Sequence, residues 1–357
     1  MLHRSGNNHI SKQLEILSDE SISNLLAQGM FIHSGYGSSV KLEVDGIPLF
    51  VKKVPLNQLE GKQVNINSTE NLFGIPTFYQ YGLGSAGFNI WREVSAHIIS
   101  TKWVLANECQ NFPIMYHWRI LNYSEVKIPM NEKEWNDYVR FWESSFSIGE
   151  RVRANHNTQA YIALFMEYFP DTLQGWLSKQ LLKGNEAIDR AIEMVERNLV
   201  ETTAFIMSKE MIHFDAHFRN IITDGERLYF SDFGLATSSQ FALSLEEQQF
   251  FKNHQNYDRC FVVTILTNWI ISEFFGKDLH EEILQEYTNE TCSLVLPESL
   301  TPYLSSIVKR YASIALKMNK FFKTLKEESK KTPYPKEELD QLWIELLKRQ
   351  AFLSHKL

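Results

Sequence analysis

The chain has 357 residues, 44% of them hydrophobic and 13% aromatic, so it can bury a sizeable core and is unlike a disordered chain. That length exceeds the usual size of one domain, and two lobes or two domains are expected. The net charge of −7 argues against a nucleic-acid-binding protein, and the three widely spaced cysteines suggest neither a disulfide framework nor a zinc site.

The first predicted elements are a short helix and a β-hairpin. Residues 18–28 have a helical pattern that ends at a glycine. Residues 39–44 and 48–54 are strand-like runs, and they meet at Asp45 and Gly46, a dipeptide typical of a tight hairpin turn.

Two features next to this hairpin are suited to contact a phosphate group. Gly35 and Gly37 precede the first strand, in a stretch that is either a plain turn or a loop whose backbone N–H groups face an anion. The second strand carries Lys52 and Lys53, and alternation along a strand sends their side chains to opposite faces. One of the two lysines is therefore a candidate phosphate ligand.

A competing motif follows at residues 82–87, which form a literal G-x-G-x-x-G before a helix predicted over residues 91–103. This pattern suggests a dinucleotide-binding turn, with Glu108 at about the right distance. However, the stretch before the motif is polar and aromatic rather than a buried parallel strand, and no serial βαβ pattern follows. We therefore favour a flexible connection.

Two further strands are predicted at residues 114–122 and 160–169, with an insertion at 123–158 between them. The insertion has a helix of its own with an apolar stripe made by Trp135, Tyr138 and Trp142. Core packing is the favoured interpretation of this stripe, and contact with a substrate is the alternative. A long amphipathic helix is then predicted over residues 187–209.

Residues 211–234 carry the most informative pattern in the chain. Two acidic residues, Asp215 and Asp232, flank Asn220, and a short hairpin with an Asp-Gly turn is predicted between Asn220 and Asp232. Because a hairpin returns its ends to the same place, we expect Asn220 and Asp232 side by side, within one loop's reach of Asp215. Two oxygen ligands beside a third carboxylate are what magnesium-nucleotide phosphoryl transfer requires, whereas the alternative is a surface turn with ordinary charges.

The C-terminal third is helical by pattern. Residues 261–275 form the most apolar run, which is too short to span a bilayer and is expected to be a buried helix. Residues 326–338 are predicted to be a charged, proline-containing linker. The last helix is expected to bury one face, made by Leu339, Leu342, Trp343, Leu346 and Leu347. The N-terminus lacks the apolar region of a secretory signal, so a cytoplasmic protein is expected.

The block at residues 211–234 resembles the catalytic core of the protein-kinase-like superfamily, which includes protein kinases and aminoglycoside-type phosphotransferases. An H-F-D triplet ends at Asp215, where those enzymes carry H-R-D or H-G-D, and a D-F-G triplet begins at Asp232. By that resemblance, Asp215 accepts the proton of the substrate hydroxyl, while Asn220 and Asp232 bind Mg²⁺.

Two residues of this block depart from the common protein-kinase pattern. His217, a further candidate catalytic residue, stands where typical Ser/Thr kinases have a lysine. A histidine there is more familiar from small-molecule kinases and a few atypical protein kinases. Phe214 replaces the arginine that would pair with a phosphate on the activation loop, so no switch of that kind is expected.

The resemblance extends into the first half of the chain. Gly35 and Gly37 are similar to a kinase glycine-rich loop in which a valine replaces the third glycine. The run L-F-V-K-K-V is similar to the lysine-bearing strand of kinases, which implies Lys52 as the nucleotide lysine and leaves Lys53 as the alternative. Glu93 then corresponds to the helix glutamate that pairs with this lysine, or it is a first-turn glutamate stabilised by the helix dipole.

Residues 166–170 resemble the kinase hinge, in which backbone groups bond the edge of adenine, and this implies nucleotide contacts from Glu167 and Phe169. Asp258 resembles the aspartate that braces the backbone of the catalytic loop. It is equally natural as an N-cap-like carboxylate for the helix that it opens.

The implied fold is α+β, a two-lobed protein-kinase-like fold with a small β-rich N-lobe and a larger, mostly helical C-lobe. We expect an N-terminal extension over residues 1–30 and an N-lobe over 31–166. The C-lobe is expected over 167–325, and a linker with a C-terminal helix over 326–357.

The implied function is phosphate transfer from ATP, with Mg²⁺, to an alcohol acceptor. A Ser/Thr hydroxyl of a protein is favoured as acceptor over a small hydroxylated molecule. A catalytically inactive binding module is the second possibility, which the retention of Lys52, Asp215, Asn220 and Asp232 opposes. A dinucleotide-binding oxidoreductase built on residues 82–87 is the third. No nucleic-acid or membrane partner is expected.

Overall fold

The computed structural model describes residues 7–32, 38–123, 131–289 and 295–354. Helices and an antiparallel sheet are both present, so the α+β class predicted from the sequence is confirmed. None of the described helices is both long enough and apolar enough to cross a membrane.

The first half of the chain contains five strands and five helices among its described residues. In chain order they are α1 (Asn7–Ile16), α2 (Asp19–Gln28), β1 (Met30–Ile32), β2 (Ser38–Val44), β3 (Ile47–Leu56), α3 (Ile90–Leu105), β4 (Met115–Asn122), α4 (Glu132–Phe141), α5 (Phe146–Asn157) and β5 (Ala160–Glu167). The predicted helix at 18–28 and the four predicted strands are present within three residues at each end. Helix α1 was not predicted.

The second half is mostly helical. Its elements are β6 (Asp171–Thr172), α6 (Leu173–Leu181), α7 (Asn185–Ser208), β7 (Met211–Ile212), β8 (Ile221–Thr223), β9 (Leu228–Phe230), β10 (Thr237–Ser238), α8 (Leu245–Asn253), α9 (Tyr257–Phe274), α10 (His280–Thr288), α11 (Pro302–Glu327) and α12 (Lys336–Ser354).

The chain divides into two compact units, and neither is continuous in sequence. Unit 1 comprises Met1–Pro170 and Tyr229–Gln248, and unit 2 comprises Asp171–Leu228 and Gln249–Leu357. The first crossing between units falls at the end of the hinge-like stretch at 166–170, directly before β6. Residues 229–248, which the sequence placed in the C-lobe, belong with the first unit.

Unit 1 is built on a five-stranded sheet in the order β1-β2-β3-β5-β4, whose neighbouring strands are all antiparallel. Asp45 and Gly46 connect β2 to β3 with φ angles of 50° and 78°, as a tight hairpin turn requires. Helix α3 packs on this sheet through a core cluster that includes Trp91, Val94 and Leu164. Strand β3, which carries Lys52, and helix α3, which carries Glu93, therefore share one core.

A second core in unit 1 is formed by residues 73–88 together with α4 and α5. Trp142 is completely buried there, against Tyr79 at 4.6 Å between ring centroids, and Tyr138 is half-buried beside them. Two residues of the predicted stripe, Tyr138 and Trp142, therefore pack in this core, whereas Trp135 is not part of the cluster.

Unit 2 is a set of packed helices, in which α7, α9 and α11 supply most of the buried apolar side chains. The last helix is attached to it by Asp340, which accepts hydrogen bonds from Asn256 at 2.9 Å and from Arg259 at 2.6 Å. The predicted apolar face of α12 does bury Leu339, Trp343 and Leu346.

Two predictions about the C-terminus are wrong in detail. Leu347 is 52% exposed, because eight residues after Leu339 it has rotated to the edge of the buried stripe. The predicted linker at 326–338 is shorter, since α11 continues to Glu327 and α12 begins at Lys336. The lysines and glutamates that suggested a linker are good helix formers, and only the proline-containing centre is irregular.

Candidate functional site

Lys52 is the centre of a buried charge cluster in unit 1. It lies on β3, between Ser39 of β2 and Leu164 of β5. Its Nζ is 2.7 Å from Oε1 of Glu93 and 2.7 Å from Oδ1 of Asp232. Of the two roles considered for Glu93, pairing with Lys52 is thus the one observed, and Asp232 lies at the same lysine.

Lys53 faces the other side of the sheet, as strand alternation requires. Its Nζ lies 5.4 Å from the centroid of the Tyr161 ring, and its side chain is half-buried. Of the two lysines considered from the sequence, Lys52 is therefore the one beside Glu93 and Asp232.

The exposure of the three charged side chains differs in a way that matters for binding. Lys52 and Glu93 are 11% and 5% exposed, whereas Asp232 is 42% exposed. Burial lowers the pKa of Lys52, but the charges of Asp232 and Glu93 outweigh it, so the pKa is raised and the lysine stays a cation. Burial raises the pKa of Glu93, and the Lys52 charge opposes that change.

Asp232 adopts an unusual backbone conformation. Its φ and ψ angles of 60° and 72° place it in the left-handed region, and its Oδ1 accepts the Gly234 N–H at 3.4 Å. The next residue, Phe233, is buried against His97 of α3 and Phe112, at 5.0 and 6.2 Å between ring centroids. Packing of Phe233 therefore holds a strained backbone that presents the Asp232 carboxylate to Lys52.

The glycine motif at residues 82–87 has a packing role. The stretch before it, Thr77–Gln80, is a 3-10 helix rather than a strand, so the context of a dinucleotide-binding turn is missing and that interpretation is wrong. Gly87 has a φ of 73°, and a Cβ there would lie 2.3 Å from the Gly234 carbonyl oxygen. Arg151 donates to the carbonyls of Ala86 and Gly87, at 2.8 Å each. Gly87 thus allows the chain to approach the segment that follows Asp232.

Two residues of the hinge-like stretch, Glu167 and Phe169, contact other parts of unit 1. The Glu167 N–H donates to the Ile114 carbonyl at 2.8 Å, and Glu167 Oε2 accepts the Ile114 N–H at 3.2 Å. The Glu167 N–H is therefore already used within the sheet, and the nucleotide contacts expected from Glu167 and Phe169 stay predictions. Phe169 stacks on Tyr229 at 3.9 Å between centroids. Gly35 and Gly37 lie outside the described residues.

Asp215, His217 and Asn220 lie together in unit 2. The Asn220 amide donates through Nδ2 to the Asp215 carbonyl at 3.0 Å and to its carboxylate at 2.9 Å. His217 Nε2 is 3.8 Å from the Asp215 carboxylate, and its Nδ1 accepts the Arg219 N–H at 3.2 Å. The amide nitrogen of Asn220 is thus directed at Asp215.

Phe214, just before Asp215, has the left-handed φ of 64° that is rare for a bulky residue. Its ring is fully buried among Phe250, His254 and Tyr257, at 5.7, 5.7 and 4.8 Å. The departure from the H-R-D pattern therefore has a physical reason, since an arginine would bury an unpaired charge in this aromatic cluster.

Asp258 braces the backbone of the same loop. Its two carboxylate oxygens accept the N–H groups of His213 at 2.6 Å and Phe214 at 3.0 Å. Of the two roles considered from the sequence, the bracing contact is the one observed. The N-cap residue of helix α9 is Asn256, whose side chain makes no capping hydrogen bond to the helix backbone.

The donor atoms fit a magnesium nucleotide. In unit 1, Asp232 offers a part-exposed carboxylate and Lys52 a fixed cation, the groups that hard cations and phosphates prefer. In unit 2, Asn220 separately offers an amide side chain beside Asp215. No three His, Cys, Asp or Glu side chains form a metal centre within the described ranges. A bound Mg²⁺ would therefore take further ligands from phosphate and water, as it commonly does.

Four buried charged residues of unit 1 were missed by the sequence analysis. Arg151 pairs with Glu60 at 3.1 Å, and Arg92 pairs with Glu247 at 2.7 Å. Only the S-x-x-E spacing of Ser244 and Glu247 gave a local signal, that of a helix-capping box.

A scan of the chain against models of known protein families finds no match, and neither does a search of curated proteins.

Proposed function

We propose that this protein is an ATP- and Mg²⁺-dependent phosphotransferase of the protein-kinase-like superfamily, with the two lobes expected for that fold. The observation that carries the proposal is the cluster of Lys52, Glu93 and Asp232, a buried cation fixed by one buried carboxylate and one part-exposed carboxylate. A core ion pair needs no exposed member, whereas a phosphate site needs a cation held at the edge of solvent.

Each residue of the cluster has a distinct role in this proposal. Lys52 binds the phosphates as a point charge, and Glu93 holds the lysine side chain in place. Asp232 is proposed as a Mg²⁺ ligand through its carboxylate, and the resemblance of residues 211–234 to that superfamily implies Asn220 as the second ligand. The bound ion supplies neutralisation of the charge that develops on the phosphate oxygens.

Asp215 is proposed as the catalytic base. The hydrogen bond from Asn220 Nδ2 at 2.9 Å orients its carboxylate, and the side chain is 21% exposed, so it remains accessible to an acceptor hydroxyl. His217, beside it, is proposed to contribute a hydrogen bond to the acceptor side of the reaction. The acceptor is proposed to be a Ser/Thr hydroxyl of a protein.

The test is phosphate transfer from labelled ATP, measured with a generic protein substrate and with a panel of small hydroxylated molecules in parallel. Asp215→Asn is expected to lower turnover by about 10²- to 10⁴-fold, the usual contribution of general base catalysis. Lys52→Met is expected to abolish turnover, and Lys53→Met is the matched control that should retain it. Transfer to small molecules alone would replace the protein acceptor, and equal signals from wild type and Asp215→Asn would leave only a nucleotide-binding module.

A further inference from the structure

Arg92 and Glu247 form a second buried ion pair in unit 1. Nη2 of Arg92 lies 2.7 Å from Oε1 of Glu247, and the side chains are 2% and 6% exposed. Nε of Arg92 donates to the Thr69 carbonyl at 2.7 Å. Arg92 is the neighbour of Glu93 in the first turn of α3, and successive helix residues point about 100° apart. The same turn is therefore held from two directions, by Lys52 through Glu93 and by Glu247 through Arg92.

Glu247 is itself fixed before it meets the arginine. Its Oε2 accepts the Ser244 N–H at 3.0 Å, and its own N–H donates to Ser244 Oγ at 3.2 Å. This reciprocal pair is a capping box at the start of α8. The carboxylate therefore has one orientation, with its second oxygen directed at Arg92.

A loop at residues 68–70 joins the same parts of unit 1. Asn89, the N-cap of α3, donates to the carbonyls of Ser68 at 2.8 Å and Glu70 at 3.0 Å. Thr69 Oγ1 accepts the Ala242 N–H at 2.8 Å. One loop thus contacts the start of α3 and the chain that leads into α8, and the Arg92 side chain crosses between them.

We propose that Arg92 and Glu247 are a positioning pair, which fixes the first turn of α3 so that Glu93 remains on Lys52. The inference rests on the proposed function, because it assigns the pair to nucleotide binding. A phosphate added to a loop orders it by creating an arginine–anion pair. Here the anion is a glutamate of the chain itself, so the nucleotide-binding half of the site is complete without a covalent modification.

Loss of this pair has a defined kinetic signature. Helix α3 would then occupy positions in which Glu93 leaves Lys52, and only a fraction of molecules would bind MgATP. The apparent dissociation constant rises by the reciprocal of that fraction, so a competent fraction of about one tenth raises KM about tenfold. Saturating nucleotide draws the population back, and kcat stays within about twofold of wild type. Lys52→Met differs because it removes a ligand.

The experiment compares Arg92→Gln, Glu247→Gln and Arg92→Lys with a matched control. The control is Arg310→Gln, which breaks a part-buried ion pair with Glu196 in unit 2, where the side chains are 30% and 12% exposed. Two quantities are measured for each protein, the KM for MgATP with kcat, and amide hydrogen exchange along α3 without nucleotide. Arg92→Lys should be intermediate, because lysine keeps the charge and loses the planar two-point contact.

For Arg92→Gln and Glu247→Gln, we expect a rise of about tenfold in the KM for MgATP and faster hydrogen exchange in the first turns of α3. The control, Arg310→Gln, should lower thermal stability but leave the KM for MgATP and hydrogen exchange in α3 unchanged. Loss of stability in all three variants with unchanged KM and unchanged exchange in α3 would overturn the inference. A wild-type protein that binds no MgATP removes the proposed function instead, and hydrogen exchange still decides whether the pair fixes α3.

Discussion

Asp258 accepts the backbone N–H groups of two consecutive residues, His213 at 2.6 Å and Phe214 at 3.0 Å. A carboxylate that receives two adjacent donors fixes the peptide between them, and this explains how Phe214 keeps a φ of 64°. The conformation of the residue before Asp215 is thus determined by a side chain on α9, more than forty positions later.

The first prediction concerns the pH dependence of this clamp. Burial raises the pKa of Asp258 from its ordinary 3.8 to about 6, against the two hydrogen bonds that lower it. The folded protein then binds the proton more tightly than the unfolded chain, so the contribution of Asp258 to stability falls as the pH rises from about 4 to about 6. Asp258→Asn does not titrate there.

Urea unfolding of wild type and Asp258→Asn at a series of pH values measures this effect. The free energy of unfolding of wild type, relative to the variant, should decrease by on the order of 3 kcal/mol between about pH 4 and about pH 7, at about 1.4 kcal/mol per pKa unit. A difference in unfolding free energy between wild type and Asp258→Asn that does not change with pH would contradict the raised pKa of Asp258.

The second prediction has the opposite sign and concerns His254, which stacks on Phe250 and Tyr334 at 3.9 and 4.6 Å. Burial lowers the pKa of His254 to about 4, more than its bond to the Phe250 carbonyl raises it. The neutral ring therefore stabilises the fold above about pH 6.5, and this contribution is lost as the pH falls toward 4. His254→Phe should lose less stability than wild type between about pH 7 and about pH 4, as measured by thermal unfolding. A steeper loss in the variant would refute it.

The third prediction is a double-mutant cycle on Lys52 and Glu93. Lys52→Met removes the cation that is hydrogen-bonded to the buried Glu93 carboxylate and should destabilise the protein by about 3–5 kcal/mol. Glu93→Gln leaves the lysine with Asp232 as its remaining partner. The double variant should be less destabilised than the sum of the two, by about 1–3 kcal/mol, because each change removes the penalty created by the other. Denaturant unfolding provides the four free energies, and strictly additive values would exclude a direct coupling.

The fourth prediction separates a close approach from backbone strain. Gly84 and Gly87 both have positive φ, at 89° and 73°. A Cβ on Gly84 would have nothing within 4 Å, whereas one on Gly87 would lie 2.3 Å from the Gly234 carbonyl oxygen. Gly84→Ala should therefore lose about 1–2 kcal/mol from strain, and Gly87→Ala should lose more and also weaken MgATP binding. Equal effects in unfolding and in nucleotide titration would count against the contact with Gly234.

Features with a local cause could be predicted from the sequence. The turn at Asp45 and Gly46 depends on two adjacent residues, and the strand that carries Lys52 follows from it. The helix predicted over residues 91–103 is observed as α3, with Glu93 in its first turn as predicted. These predictions needed only residues within one or two turns of each other.

Features that depend on distant residues left no such trace. Arg92 and Glu247 are 155 positions apart, and neither residue type distinguishes a buried pair from two surface charges. Gly87 was expected to belong to a flexible connection, and its close approach to Gly234, far along the chain, has no local signal. The left-handed backbone of Phe214 arises from Asp258 and the aromatic cluster, which no local propensity contains.

The discontinuous course of unit 1 has a consequence for the order in which the protein is made. Lys52 and Asp232 are 180 positions apart, and the unit is complete only when Tyr229–Gln248 has been added to Met1–Pro170. A ribosome that has finished the hinge-like stretch has therefore produced Lys52 and Glu93 without the segment that covers them. A protein truncated at residue 170 would lack the second segment of unit 1 and therefore Asp232. A shortened protein that keeps the whole of unit 1 would need residues 229–248 joined to residue 170 through a linker.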